Sequence, residues 1–387
     1  MKSLLLLVIL APGFPDGDAV LLTNARILPV SGSPIPKGYV IIRDGKIVGI
    51  AGGEAPADQG RIVDFSGKTI IPGLIHGASA LGISGTTNED GEEVAPNVRI
   101  LDSFDPRSGD LSRARQSGLT AALVEPGNRG VIGGLASVVK TAGASRSSMI
   151  LRDEAALKAA MGLAPAQGNF APRGAAATFF TRRPTTRMGV AWEFRKAFFD
   201  AQKAQEPPVL LRALAGTLPV RVSASRVTDI ETALQAGEEF HLRIVIEEGQ
   251  EAYKRAELLA ARHIPVLLRP SPPPASSEPE EFRPDAFTIL VRAGVATALL
   301  PAGDERPEAL LTAVALAVHE GASPSEALRA VTLTPAEILG IADRVGSLAP
   351  GKDADLVVLS GEPQAVTTRV EKVMINGRWV FGEKADQ

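Results

Sequence analysis

At 387 residues the chain is long enough for one large α/β barrel with a small satellite domain, or for two to three average domains. A hydrophobic fraction of 45% and a charged fraction of 22% exclude wholesale disorder, and a formal net charge of −3 without a dense Lys/Arg run gives no electrostatic case for nucleic acid. The absence of cysteine excludes thiolate catalysis, disulfides and cysteine-ligated metals, and only four histidines are present: His76, His241, His263 and His319.

The chain opens on Lys2 and the apolar run Leu4 to Ala11, with a small residue at Ala19. This pattern reads as a secretory signal over residues 1–19 and an exported, periplasmic or extracellular location; a frayed apolar strand is the other reading. The run falls short of the roughly 20 apolar residues that a membrane helix needs, and no other segment reads as transmembrane. Two strand-like runs follow, Tyr39 to Arg43 and Lys46 to Ile50, joined by Asp44-Gly45. Asp-Gly between β-branched runs is a hairpin signal, because a two-residue turn of that kind needs positive φ at both positions. Near the other end, Val370 to Ile375 and Arg378 to Phe381 flank Asn376-Gly377 in the same way. Both chain ends, 20–70 and 347–387, are therefore expected to pair into one small β-sandwich domain.

The middle, 71–346, alternates differently. The runs Thr120 to Val124, Val220 to Val222, Arg243 to Ile246, Pro265 to Leu268 and Val295 to Leu300 are separated by segments of helical period: Asp229 to Phe240, Glu251 to Arg262, Asp285 to Ala293 and Glu308 to His319. Alternation at this length predicts a parallel sheet with crossover helices, closed into a (β/α)8 TIM-type barrel. An open doubly wound sheet is the structural rival, weakened by the absence of a Gly-x-Gly-x-x-Gly turn after a first strand. The stretch Pro270 to Pro284 excludes helix and central strand and reads as a lid over the barrel mouth or as a plain surface connection.

Two motifs carry a family resemblance. Gly67 to Ile75 (Gly-Lys-Thr-Ile-Ile-Pro-Gly-Leu-Ile) resembles the entry to the barrel of amidohydrolases, and Leu333 to Gly340 with Asp343 to Val358 is similar to the exit from it. Gly133-Gly134, Lys158 to Gly162 and Thr186 to Val190 further resemble the imidazolonepropionase-like branch. The resemblance implies one or two divalent metals at the strand C-termini, polarising a carbonyl and supplying hydroxide near neutral pH. It also implies Pro-Gly-Leu-Ile-Asp-x-His-x-His after the first strand. Here the chain reads Pro72-Gly73-Leu74-Ile75-His76-Gly77-Ala78-Ser79-Ala80, with alanine at both histidine positions and His76 at the aspartate position. No histidine stands in Val220 to Ser225; Glu248 stands where the sixth-strand histidine is expected, and Asp304 follows the eighth strand late. Lys158 matches the lysine that bridges two metals in some members. The surviving polar groups form a candidate pocket of His76, Lys158, Glu248 and Asp304, a poor set for a transition metal.

The remaining candidates have ordinary explanations. His241, His263 and His319 fall at helix ends, where imidazoles meet solvent or the C-terminal dipole. The acidic run Asn88 to Glu93 lacks calcium-loop spacing and reads as a solvated turn. Ser79, Ser223 and Ser225 have no histidine placed by sequence to activate them. Arg187 opens a helix, where packing or capping is its default role. The expectation is an amidohydrolase-like protein that is catalytically degenerate, with no metal or other cofactor, binding a small-molecule ligand or a partner. The alternative is an active hydrolase of non-peptide C–N bonds with an atypical site at the barrel mouth. A homo-oligomer, pairing with an active relative and a purely structural subunit stay open.

Overall fold

The computed structural model describes residues 19–56, 60–167, 183–272, 281–302 and 309–382. The expected signal segment apart from Ala19, the centre of the Pro270–Pro284 stretch and Asp304 lie outside the described residues. Two eight-stranded sheets organise the chain.

The first sheet is built from both chain ends: β1 (Val20–Ile27), β2 (Ile35–Arg43), β3 (Lys46–Gly52), β4 (Arg61–Asp64) and β5 (Thr69–Pro72). The barrel strands β6 to β13 intervene before β14 (Leu356–Leu359), β15 (Val370–Ile375) and β16 (Arg378–Phe381) complete it. Its order is β16-β15-β14-β5-β1-β2-β3, and it forks at β1. Val20 to Thr23 pair with β4, whereas Arg26 and Ile27 pair with β5 on the same edge, with Asn24 at φ 60° where the strand changes partner. Both expected hairpin turns are present, with φ of 51° and 74° at Asp44-Gly45 and 50° and 73° at Asn376-Gly377. Leu22, Ile27, Val40, Ile70, Leu356 and Met374 form the centre of this sheet's own core.

The second sheet runs from β6 (Leu74–Ser79) through β7 (Leu119–Val124), β8 (Ile132–Lys140), β9 (Ile150–Ala160), β10 (Val220–Ser223), β11 (Ile244–Glu247) and β12 (Val266–Leu268) to β13 (Thr297–Leu299). Neighbours pair in parallel except around β8, which is antiparallel to both β7 and β9. The sequence reading missed this reversed third strand. Gly134 sits at φ 118°, where a Cβ would lie 2.4 Å from the Val98 carbonyl oxygen, so only glycine permits that approach. The ring closes through Ala330 and Val331, whose carbonyls accept from Leu299 N and Ile75 N, each at 2.9 Å. Helix Leu333–Leu339 then packs Ala336 and Leu339 against Ile75, Ala121 and Val138, filling the barrel with apolar groups at the end opposite the mouth.

The helices follow the expected period. Val227–Glu239 buries Ile230, Ala233 and Leu234 against the sheet. It ends where Leu242 N bonds back to Gly237 O at 2.8 Å, with the exposed His241 at φ 55°. His263 (φ 53°) closes helix Ala256–Ala261 in the same way, through Ile264 N to Leu259 O at 2.9 Å. These two imidazoles and the exposed His319 at the end of helix Ala309–His319 serve helix ends, as their spacing implied.

One buried polar cluster joins the sheets. Lys140, at the end of the reversed β8, donates to Asp353 (2.8 Å), Asp355 (2.9 Å) and the Asn376 side chain (2.6 Å). Arg344 and Lys46 also bind Asp353. The exit motif Gly351-Lys352-Asp353-Ala354-Asp355 is thus the anchor for a barrel lysine.

Candidate functional site

In a parallel barrel the strand C-termini gather side chains from many strands at one mouth. Here that mouth holds a cavity of about 110 Å³ lined by the ends of β6, β7, β9, β11, β12 and β13. Ala78 and Ala80 both line it. The two positions where imidazoles would enter the mouth therefore present only methyl groups.

At its floor lies a quartet of charges. Lys158 Nζ donates to Glu125 Oε1 at 2.8 Å and also to Glu247 Oε2. Arg221 donates through Nε to Glu247 Oε1 and through Nη2 to the Gly77 carbonyl at 2.7 Å, and its Nε lies 3.5 Å from Glu125 Oε2. All four side chains are at least nine-tenths buried. Glu247 is the last residue of β11, Arg221 and Lys158 face it from β10 and β9, and Glu125 follows β7.

Burial and charge act on these groups in opposite directions. Burial pushes Glu125 up to about 8, helped by the negative charge of Glu247 and opposed by Lys158 and Arg221. Burial would also raise Glu247, but Arg221 and Lys158 outweigh it and hold that carboxyl down at about 2. Lys158 is held above the ordinary lysine range: burial works against its charge, and Glu125, Glu247 and Glu248 overcome that penalty. At neutral pH the quartet therefore holds Lys158 and Glu247 as ions and keeps a proton on Glu125.

The structure brings two of the four expected pocket residues together. Lys158 and Glu248 line the cavity. Glu248, in the left-handed region at φ 53°, accepts from Ser223 Oγ at 2.6 Å and from Asn128 Nδ2 at 3.0 Å. Its neighbour Glu247, not Glu248, is the carboxylate that meets Lys158. His76 is buried on β6 outside the lining set; its Nδ1 accepts from Ala78 N at 3.2 Å and its Nε2 has no hydrogen-bond partner. Burial, then the positive charge of Arg269, lowers His76 to about 3, so it stays neutral. Ser79 donates to the Leu123 carbonyl at 2.7 Å and so is engaged with the backbone. Arg187 does not cap its helix and is not among the residues lining the cavity: Thr186 accepts from Gly189 N as the cap, and Arg187 forks onto Asp229 at 2.9 and 3.3 Å.

Sequence reasoning missed Glu125, Arg221 and Glu247. Their signal was available: each is a charged residue inside or ending an otherwise apolar strand run, where burial demands a partner.

Among the described residues, no group of three or more His, Cys, Asp or Glu side chains is placed to hold a metal ion. The donor set explains this. Alanines stand at two ligand positions, Glu125 and Glu247 are already paired with Lys158 and Arg221, and Glu248 is held by Ser223 and Asn128. The described residues do not fit the metals that the resemblance implies. No helix among the described residues is long and apolar enough to cross a membrane.

Comparison with known proteins agrees with this architecture. The profile of the Amidohydrolase family matches residues 294–380. An amidohydrolase from Thermotoga maritima MSB8 superposes with a TM-score of 0.86 at 32% identity, over 94% of this chain and 99% of that one. The amidohydrolase tasK of Hapsidospora irregularis is 25% identical over 95% of this chain, which spans only 44% of that protein. An imidazolonepropionase of Desulfotalea psychrophila is 32% identical over 42% of this chain and 39% of its own length. Matched over nearly its whole length by a solved relative of almost the same extent, the chain belongs to the amidohydrolase family.

Proposed function

We propose that this protein keeps the amidohydrolase scaffold without metal-dependent hydrolysis and uses the barrel mouth to bind a small ligand. One observation carries the reading: the Lys158 ammonium and Arg221 guanidinium occupy the Glu247 carboxylate and the Glu125 carboxyl group at the barrel mouth. Positive charge at the mouth is supplied by the chain itself. A metal would have to displace two hydrogen-bonded cations from buried carboxyl groups, with no imidazole to take it up.

The imidazolonepropionase-like branch is the closer affiliation we infer, supported by the partial match to that enzyme from Desulfotalea psychrophila and by the Thr186 to Val190 segment. We also infer an exported protein from the apolar run Leu4 to Ala11, a reading checked by the N-terminal mass of the mature protein.

Elemental analysis tests the main reading. Protein purified without chelator and then offered zinc, manganese and magnesium should retain less than about a tenth of an equivalent of each. Near-stoichiometric metal that is lost in Glu247→Gln would overturn it, and C–N hydrolysis at the mouth would then be the reading to assay.

A further inference from the structure

Helix Arg187–Ala204 has two apolar faces. Val190, Phe194, Phe198 and Ala201 are buried in the main core. On the other side Met188, Trp192 and Phe199 are 80%, 63% and 61% exposed, three of the six large apolar side chains left open among the described residues. Their spacings of four and seven align them as one stripe at 3.6 residues per turn. Tryptophan, phenylalanine and methionine are the apolar side chains enriched at protein interfaces, and this chain has only two tryptophans to place.

The charges beside the stripe point to its occupant. Glu193, Lys196, Asp200 and Lys203 follow one edge in the order acid, base, acid, base. That order is symmetric about Phe198: Glu193 and Lys203 each lie five residues from it, Lys196 and Asp200 each two. A second copy of the helix, laid antiparallel about a two-fold axis at that level, brings this edge against itself in reverse. Every acid then faces a base, Glu193 of one copy opposite Lys203 of the other and Asp200 opposite Lys196. Lys196 already bonds Asp200 within the helix at 2.6 Å, whereas Glu193 and Lys203 form no ion pair among the described residues. The same register sets both Phe199 rings beside the axis, each about 1.5 Å along the helix from it. Trp192 comes level with Ala204 of the other copy, next to the Lys203 stem, where an indole face attracts an ammonium group. A parallel pair would set like charges at equal heights, and an unrelated partner would not require a palindromic order. We propose that this face is a two-fold, antiparallel interface between two copies of the chain. It is independent of the barrel mouth.

Sedimentation equilibrium on the full chain tests it. The mass should rise with loading concentration from 40.4 kDa towards twice that value. Glu193→Lys puts two like-charge contacts into the dimer, and so does Lys203→Glu; each variant alone should dimerise at least about tenfold more weakly. Mixed in equal amounts, the two variants should pair with each other at near-native affinity, because every contact between positions 193 and 203 is again opposite in sign. Both substitutions lie on the open edge of the helix and leave its buried face untouched. A monomer at every concentration would mean that the stripe is covered within the chain or by a different protein, and would overturn the proposal. A dimer that neither charge reversal weakens, or two variants that stay monomeric when mixed, would overturn it equally.

Discussion

At the scale of single residues, the quartet makes the mouth a place where stability depends on pH in a way that can be assigned. Glu125 is raised from its ordinary value to about 8, so the folded state binds a proton more tightly than the unfolded state. That contribution is fully present below the unfolded carboxylate pKa and is lost as pH rises through about 8. Glu247 has the opposite sign: its contribution is present above the unfolded value and is lost as pH falls through about 2. His76, depressed to about 3, favours the folded state increasingly as pH rises towards the ordinary histidine range and no further. The window from about pH 6.5 to 8 therefore isolates Glu125, above the histidine reference value and up to the carboxyl's own. Melting temperature should fall across that window in the native chain, and Glu125→Gln should remove most of the fall. A profile unchanged by the substitution would show that Glu125 is already ionised in the fold. Removing a cation gives a harsher result. Lys158→Met leaves Glu125 and Glu247 with Arg221 alone and should cost about 3–5 kcal/mol in urea unfolding, the usual loss when one partner of a buried pair is deleted.

At the scale of elements, what was legible depended on whether the signal was local. The hairpins at Asp44-Gly45 and Asn376-Gly377 could be read because turn chemistry is decided by two residues. The helices could be read because an apolar stripe repeats along each one, and the endings at His241 and His263 because a helix stop is a local event. The β7–β8–β9 reversal could not. Gly134 signals a tight approach, but its partner, the Val98 carbonyl, is remote in sequence and shows nothing to a reader of the chain. The Lys140 anchor was hidden for the same reason, since 213 residues separate the lysine from Asp353. Lys140 is the one cation paired with Asp355 among the described ion pairs, whereas Asp353 also has Lys46 and Arg344. Lys140→Met should therefore destabilise by about 3–5 kcal/mol, and adding Asp355→Asn should recover part of that loss, because it removes the stranded charge. Additive costs in the double variant would mean that the two side chains do not act as a pair.

At the scale of the whole molecule, the family could be named from the entry and exit motifs because those segments build the scaffold. The mouth was only half legible: missing ligands are visible as alanines, but their replacement is a set of contacts between four strands. Loss of histidine alone also does not say what keeps a metal out. If absent donors were the whole cause, Ala78→His with Ala80→His would restore zinc binding, since both positions line the cavity. If Arg221 and Lys158 already satisfy the carboxylates, the double variant should still retain less than about a tenth of an equivalent of zinc, because metal binding must first expel a buried cation. Adding Arg221→Ala removes that competitor and leaves Glu247 short of charge. The triple variant should be less stable than the double on its own and should gain melting temperature as zinc is added, since a ligand that binds only the folded state raises its stability with concentration. Stoichiometric zinc in the double variant would assign the exclusion to the alanines alone and reduce Arg221 to a structural partner of Glu247.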